Sequence, residues 1–105
     1  NMKCNKLVRD NIVKIIEAQG RSHTSRVLFN DVEYETALVG KLREEVEEFI
    51  EDPCKEEMAD ILEVLDCLME FYSIDPYAVE TAKQAKAHAR GSFKKRIYLE
   101  EVTDK

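Results

Sequence analysis

Residues 38–72 read LVGKLREEVEEFIEDPCKEEMADILEVLDCLMEFY. Apolar residues recur three and four apart on either side of Asp52-Pro53, the spacing of one buried face on each of two helices. Asp52 followed by Pro53 reads as both a stop and a fresh start. Proline fits a first helical position, and aspartate accepts from the orphan amides there. The pattern predicts one helix running from its cap Asn30 to about Glu51 and another from about Pro53 to Tyr72, antiparallel neighbours across a tight corner. Glu33, three residues after Asn30, is expected to close a capping box.

Working outward, Lys6 to Ala18 reads as a helix with Leu7, Ile12, Ile15 and Ile16 apolar and Gly20 as a left-handed stop. Residues 21–29 lack helical period and are expected to be an extended connector or short strand. Asp75 and Pro76 repeat the cap grammar, so a fourth helix should reach about Arg90, where Gly91 ends it. Phe93, Ile97 and Leu99 suggest that the tail packs back as an extended strap. The expected fold is all-α: a helical bundle of about four helices with an antiparallel central pair, forming a single domain over residues 2–105.

Composition excludes several classes. Three Gly and two Pro in 105 residues argue against a turn-rich β sandwich. The apolar runs are far shorter than a membrane span, and no leader-like segment opens the chain, so the expectation is a soluble cytoplasmic protein with no membrane partner. Cys4, Cys54 and Cys67 form no CxxC pair, which indicates neither a disulfide scaffold nor a zinc knuckle. With 16 Lys and Arg against 22 Asp and Glu, the net charge of -6 disfavours a nucleic acid polymer as partner. Residues 81–99 nevertheless hold six positive groups and no acid. A helix end favoured by the macrodipole accounts for Lys86 and Arg90 without any ligand.

The acids are not spread evenly around the two central helices. At 100° per residue with Leu42 at zero, Glu45 falls at about 300°, beside the Leu38, Leu42, Val46 and Phe49 stripe, whereas Glu44 and Glu47 fall on the far side. Glu48 and Lys41 lie at about 240° and 260° on the same wheel. On the next helix Glu57 sits inside the apolar arc of Ile61, Val64, Leu65 and Leu68, and Asp60 borders it beside Phe71. Each helix thus offers one inward and one edge carboxylate, as Glu45-x-x-Glu48 and Glu57-x-x-Asp60.

Converging carboxylates in an apolar setting need a compensating cation. Salt bridges to Lys41 or to a neighbouring helix would serve, and so would a metal ion. His23 and His88 do not follow a Glu by three residues, so the Glu-x-x-His step of a ferritin-type iron site is missing. Oxygen-only ligands point to Mg²⁺, with Mn²⁺ as a substitute, and Mg²⁺ prefers to be shared with substrate phosphates. Cys54 and Cys67 read as packing residues and His88 as a surface residue.

Lys41-Leu42-Arg43-Glu44-Glu45-Val46-Glu47-Glu48-Phe49 followed by Glu56-Glu57-Met58-Ala59-Asp60-Ile61-Leu62 resembles the ExxE and ExxD signature of the all-α nucleoside triphosphate pyrophosphohydrolases. The opening Lys6-Leu7-Val8-Arg9-Asp10 and the closing Arg90-Gly91-Ser92-Phe93 with Lys95-Arg96-Ile97 resemble the MazG-like, phosphoribosyl-ATP pyrophosphohydrolase-like branch. The resemblance implies Mg²⁺-dependent cleavage of a nucleotide between its α and β phosphates. It further implies Glu45, Glu48, Glu57 and Asp60 as metal ligands and catalytic acids, and Lys41, Lys6, Arg9, Arg90, Lys95 and Arg96 as phosphate contacts. It also implies a homodimer or dimer of dimers. Only Phe49 to Glu56 separate the two acidic motifs, a shorter connector than in typical MazG domains, and Phe71 and Tyr72 are the aromatic candidates for a base. From the residues alone, a non-catalytic acidic helical interaction protein stands beside the hydrolase, as does a metal-binding remnant that holds nucleotides without cleaving them.

Overall fold

The computed structural model describes residues 3–104; Met2 and Lys105, the ends of the expected domain, lie outside the described residues. The fold has four helices, α1 (Ile12–Ala18), α2 (Asp31–Glu51), α3 (Lys55–Phe71) and α4 (Pro76–Arg90), and no strand among the described residues. No helix among them is long and apolar enough to cross a membrane. The chain divides into two compact units, Asn1–Ser73 and Ile74–Lys105.

Local chemistry sets most helix ends. The Asn30 side chain accepts from the amides of Val32 and Glu33, and Asp31 and Glu33 place negative charge in the first turn of α2. The expected capping box is incomplete, because the Glu33 carboxylate turns instead to Arg26 Nη2 at 2.6 Å. Asp75 caps α4 by accepting from the Tyr77 amide, with Pro76 as first helical residue. Gly91 ends α4 at φ 83, and Gly20 follows α1 at φ 73, both in the region that favours glycine.

Two helix starts differ from the sequence reading. Helix α1 begins at Ile12, not Lys6; the preceding segment is non-helical, and its Lys6 and Arg9 form ion pairs with α2 and α3. Helix α3 begins at Lys55, not Pro53. Asp52 closes α2, its amide donating to the Glu48 carbonyl at 2.9 Å, and so does not cap the next helix. Cys54 takes the cap position with no side-chain hydrogen bond to the helix. Residues 21–29 are irregular, without the strand considered for them.

Helices α2 and α3 pack on each other as in a helical hairpin. Leu38 and Val64 are the buried apolar side chains among the described residues. Each contributes roughly 1.5–3 kcal/mol by leaving water. The Tyr34 and Phe71 rings meet edge to face at 5.7 Å, and the Tyr72 hydroxyl donates to Glu35 at 2.6 Å. Val46, expected in the buried stripe, is exposed, since this hairpin covers only a narrow line of side chains. In the second unit, Phe93, Ile97 and Leu99 are exposed, so the tail is not the packed strap that its apolar residues suggested.

Leu38→Ala is expected to cost about 2–5 kcal/mol and Phe93→Ala less than about 0.5 kcal/mol. Urea unfolding followed by circular dichroism checks both.

Candidate metal centre

The corner between α2 and α3 brings two i, i+3 acid pairs together. Glu45, Glu48, Glu57 and Asp60 each offer one carboxylate oxygen, and these four atoms all lie within 4.8 Å of one another. Spacing of three puts both members of a pair on one helix face, and the hairpin turns the two faces towards each other.

Glu45 is 4% exposed, the one buried charged residue among those described. Its Oε1 lies 3.2 Å from Lys41 Nζ, one helical turn back, while its Oε2 is buried without a hydrogen-bond partner among the described residues. Glu57 Oε2 is likewise buried and unpartnered. Burial pushes the Glu45 carboxyl above its ordinary value; Lys41 opposes this, and the neighbouring Glu48 and Asp60 carboxylates reinforce it. Unmatched buried oxygens beside further carboxylates are a donor set that could hold a cation, and oxygen-only ligands fit a hard one.

The basic residues of this unit that were expected to hold phosphates contact the acids. Lys41 Nζ is 2.7 Å from Glu44 Oε2, and Lys6 Nζ is 3.4 Å from Glu44 Oε1. Burial tends to lower the Lys41 ammonium, but Glu44 and Glu45 outweigh it and hold it above its ordinary value. Hydrogen bonding to Lys41 keeps the Glu44 carboxyl low. Glu44 is therefore half-buried between two lysines, although the helical wheel placed it on the far side; side-chain reach was invisible to the wheel. Arg9 Nη2 is 2.7 Å from Asp60 Oδ1, and its Nη1 is 3.7 Å from Glu63 Oε1, a partner the sequence reading missed.

A groove of about 290 Å³ is lined by Lys6, Leu7, Gly40, Lys41 and Glu44 among others, with none of the four clustered acids in its lining. Arg90, Lys95 and Arg96 belong to the second unit, Arg90 in the last turn of α4 and the other two in the exposed tail. Phe71 and Tyr72 join Tyr34 in an aromatic cluster about 16 Å along α3 from Asp60. Cys67 is half-buried, with its thiol pushed up by burial, as befits a packing residue. Cys54 lies with Asp52 and Glu57 in a second set of close donors, another feature the spacing did not signal.

No protein-family model, curated protein or solved structure matches the chain.

Because the folded Glu45 carboxyl titrates above its unfolded value, the stability linked to its protonation is complete at low pH and is lost as pH rises through the folded pKa. In buffer with EDTA, Glu45→Gln is therefore expected to raise the melting temperature at pH 7. The gain should shrink towards zero below about pH 4, where both states carry a neutral group. Thermal melts across that range check the sign.

Proposed function

We propose that the protein is a Mg²⁺-dependent pyrophosphohydrolase of the all-α nucleoside triphosphate pyrophosphohydrolase superfamily, on the MazG-like branch. It cleaves the α–β anhydride of a nucleoside triphosphate or related nucleotide to a monophosphate and pyrophosphate. The observation that carries this reading is the meeting of Glu45, Glu48, Glu57 and Asp60, two of which, Glu45 and Glu57, have a buried oxygen without a hydrogen-bond partner among the described residues. Those four residues would hold Mg²⁺, which supplies charge neutralisation to the phosphates and orients water.

The chain's own residues supply the rest. One of the four acids also takes the proton of the attacking water as oxygen adds to phosphorus and the bridging P–O bond breaks, pyrophosphate leaving as the anion. Lys41 and Lys6, which line the groove, hold the phosphates. No Ser-His or Cys-His pairing is needed, because positioning and charge neutralisation suffice for phosphoryl chemistry.

The proposed scaffold is an antiparallel α2–α3 hairpin completed by a second copy. Glu45 near Asp60 at one end and Tyr34 near Phe71 at the other support the antiparallel sense. Val46 and Ile50 on α2 and Met58 and Leu62 on α3 are exposed apolar residues at helical spacing, and they support a homodimer or dimer of dimers. Three free thiols fit a reducing, cytoplasmic setting.

Lys41 and Arg9 already offset part of the acidic charge, which favours a second reading, a non-catalytic acidic helical protein. Thermal melts separate the two. The hydrolase reading expects Mg²⁺ to stabilise the wild type, by about 2.7 kcal/mol at a hundredfold excess over Kd. It expects Glu57→Ala to lose both that shift and pyrophosphate release from a panel of canonical, deoxy and damaged triphosphates plus phosphoribosyl-ATP. A Mg²⁺-independent melt with no product from any panel member would leave the non-catalytic reading. Leu62→Glu is expected to raise the monomer fraction in analytical ultracentrifugation.

A further inference from the structure

We infer that Arg9 competes with the divalent cation for Asp60, so that cation binding frees its guanidinium for the substrate's phosphates. The inference rests on the metal-site reading above, which has its own support in the buried, unpartnered oxygen of Glu45. Asp60 Oδ1 accepts a charge-assisted bond from Arg9 Nη2 at 2.7 Å, and Asp60 also belongs to the four-carboxylate set. One carboxylate thus serves two cations. A divalent ion among these acids draws on the charge of the same carboxylate and repels a guanidinium a few ångströms away.

Arg9 is built to yield. Its side chain is 53% exposed, and it precedes α1 on a non-helical segment, so release needs no helix to move. Lys41 differs: its side chain is 17% exposed, held by two carboxylates on its own helix. A freed guanidinium presents two parallel N–H donors that match a phosphate. Arg9 is therefore a positioning residue that trades a carboxylate for the substrate.

The test titrates the protein with Mn²⁺, read by the electron paramagnetic resonance signal of the free ion. It compares wild type, Arg9→Gln, Arg9→Lys and Arg26→Gln. Arg26 pairs with Glu33 near the start of α2 and controls for loss of a positive charge alone. Arg9→Gln should bind Mn²⁺ about tenfold tighter, with the other two within about twofold of wild type. With Mn²⁺ present, inorganic pyrophosphate should bind Arg9→Gln about tenfold more weakly by calorimetry. Unchanged or weaker Mn²⁺ binding by Arg9→Gln overturns the competition, whatever its melting temperature. Unchanged pyrophosphate affinity overturns the release of Arg9 to phosphate. No saturable Mn²⁺ binding by any variant overturns the metal-site reading itself. Arg9→Met, which keeps part of the stem, replaces the glutamine variant if that one does not fold.

Discussion

Glu45 is buried in the α2–α3 hairpin that also buries Leu38 and Val64, with one oxygen on Lys41 and the other without a hydrogen-bond partner among the described residues. An ionised carboxylate in such surroundings raises the free energy of the fold unless positive charge comes close. Much of the unit's polar structure follows from this constraint. Lys41 is held between Glu44 and Glu45, Lys6 reaches the same Glu44, and Arg9 crosses to Asp60. The N-terminal segment is tied to the hairpin through charge, and α1 is shorter than its apolar pattern would allow.

The same constraint works against the stability of the hairpin. A glutamine or an apolar side chain at the Glu45 position would make a more comfortable core, as replacement of buried charge by well-packed apolar groups often does. Retaining four acids within 4.8 Å makes sense if a divalent ion belongs among them. The hairpin is economical in apolar burial as well, leaving Ile50 and Leu62 more than half exposed.

How far the chain could be read varied with the range of the interaction. The caps at Asn30, Asp75 and Gly91 follow from residues within four positions of one another, and they form as local chemistry dictates. The inward placement of Glu45 followed from helical period alone. The start of α3 escaped because Asp52 had two possible uses, and closing α2 took precedence over opening α3. The tail's apolar residues suggested packing, but hydrophobicity gives no partner to pack against.

By itself the sequence determined the helices, their main stops and the faces on which the acids lie, since each depends on periodicity or on a short-range hydrogen bond. Only the tertiary structure decided that the two acid pairs meet, that one oxygen on each of Glu45 and Glu57 is left unpartnered, and which cation answers which acid. Lys6 finds Glu44 across 38 positions and Arg9 finds Asp60 across 51. Pairings at that range depend on how the hairpin closes and on how far flexible side chains extend, and a linear pattern records neither.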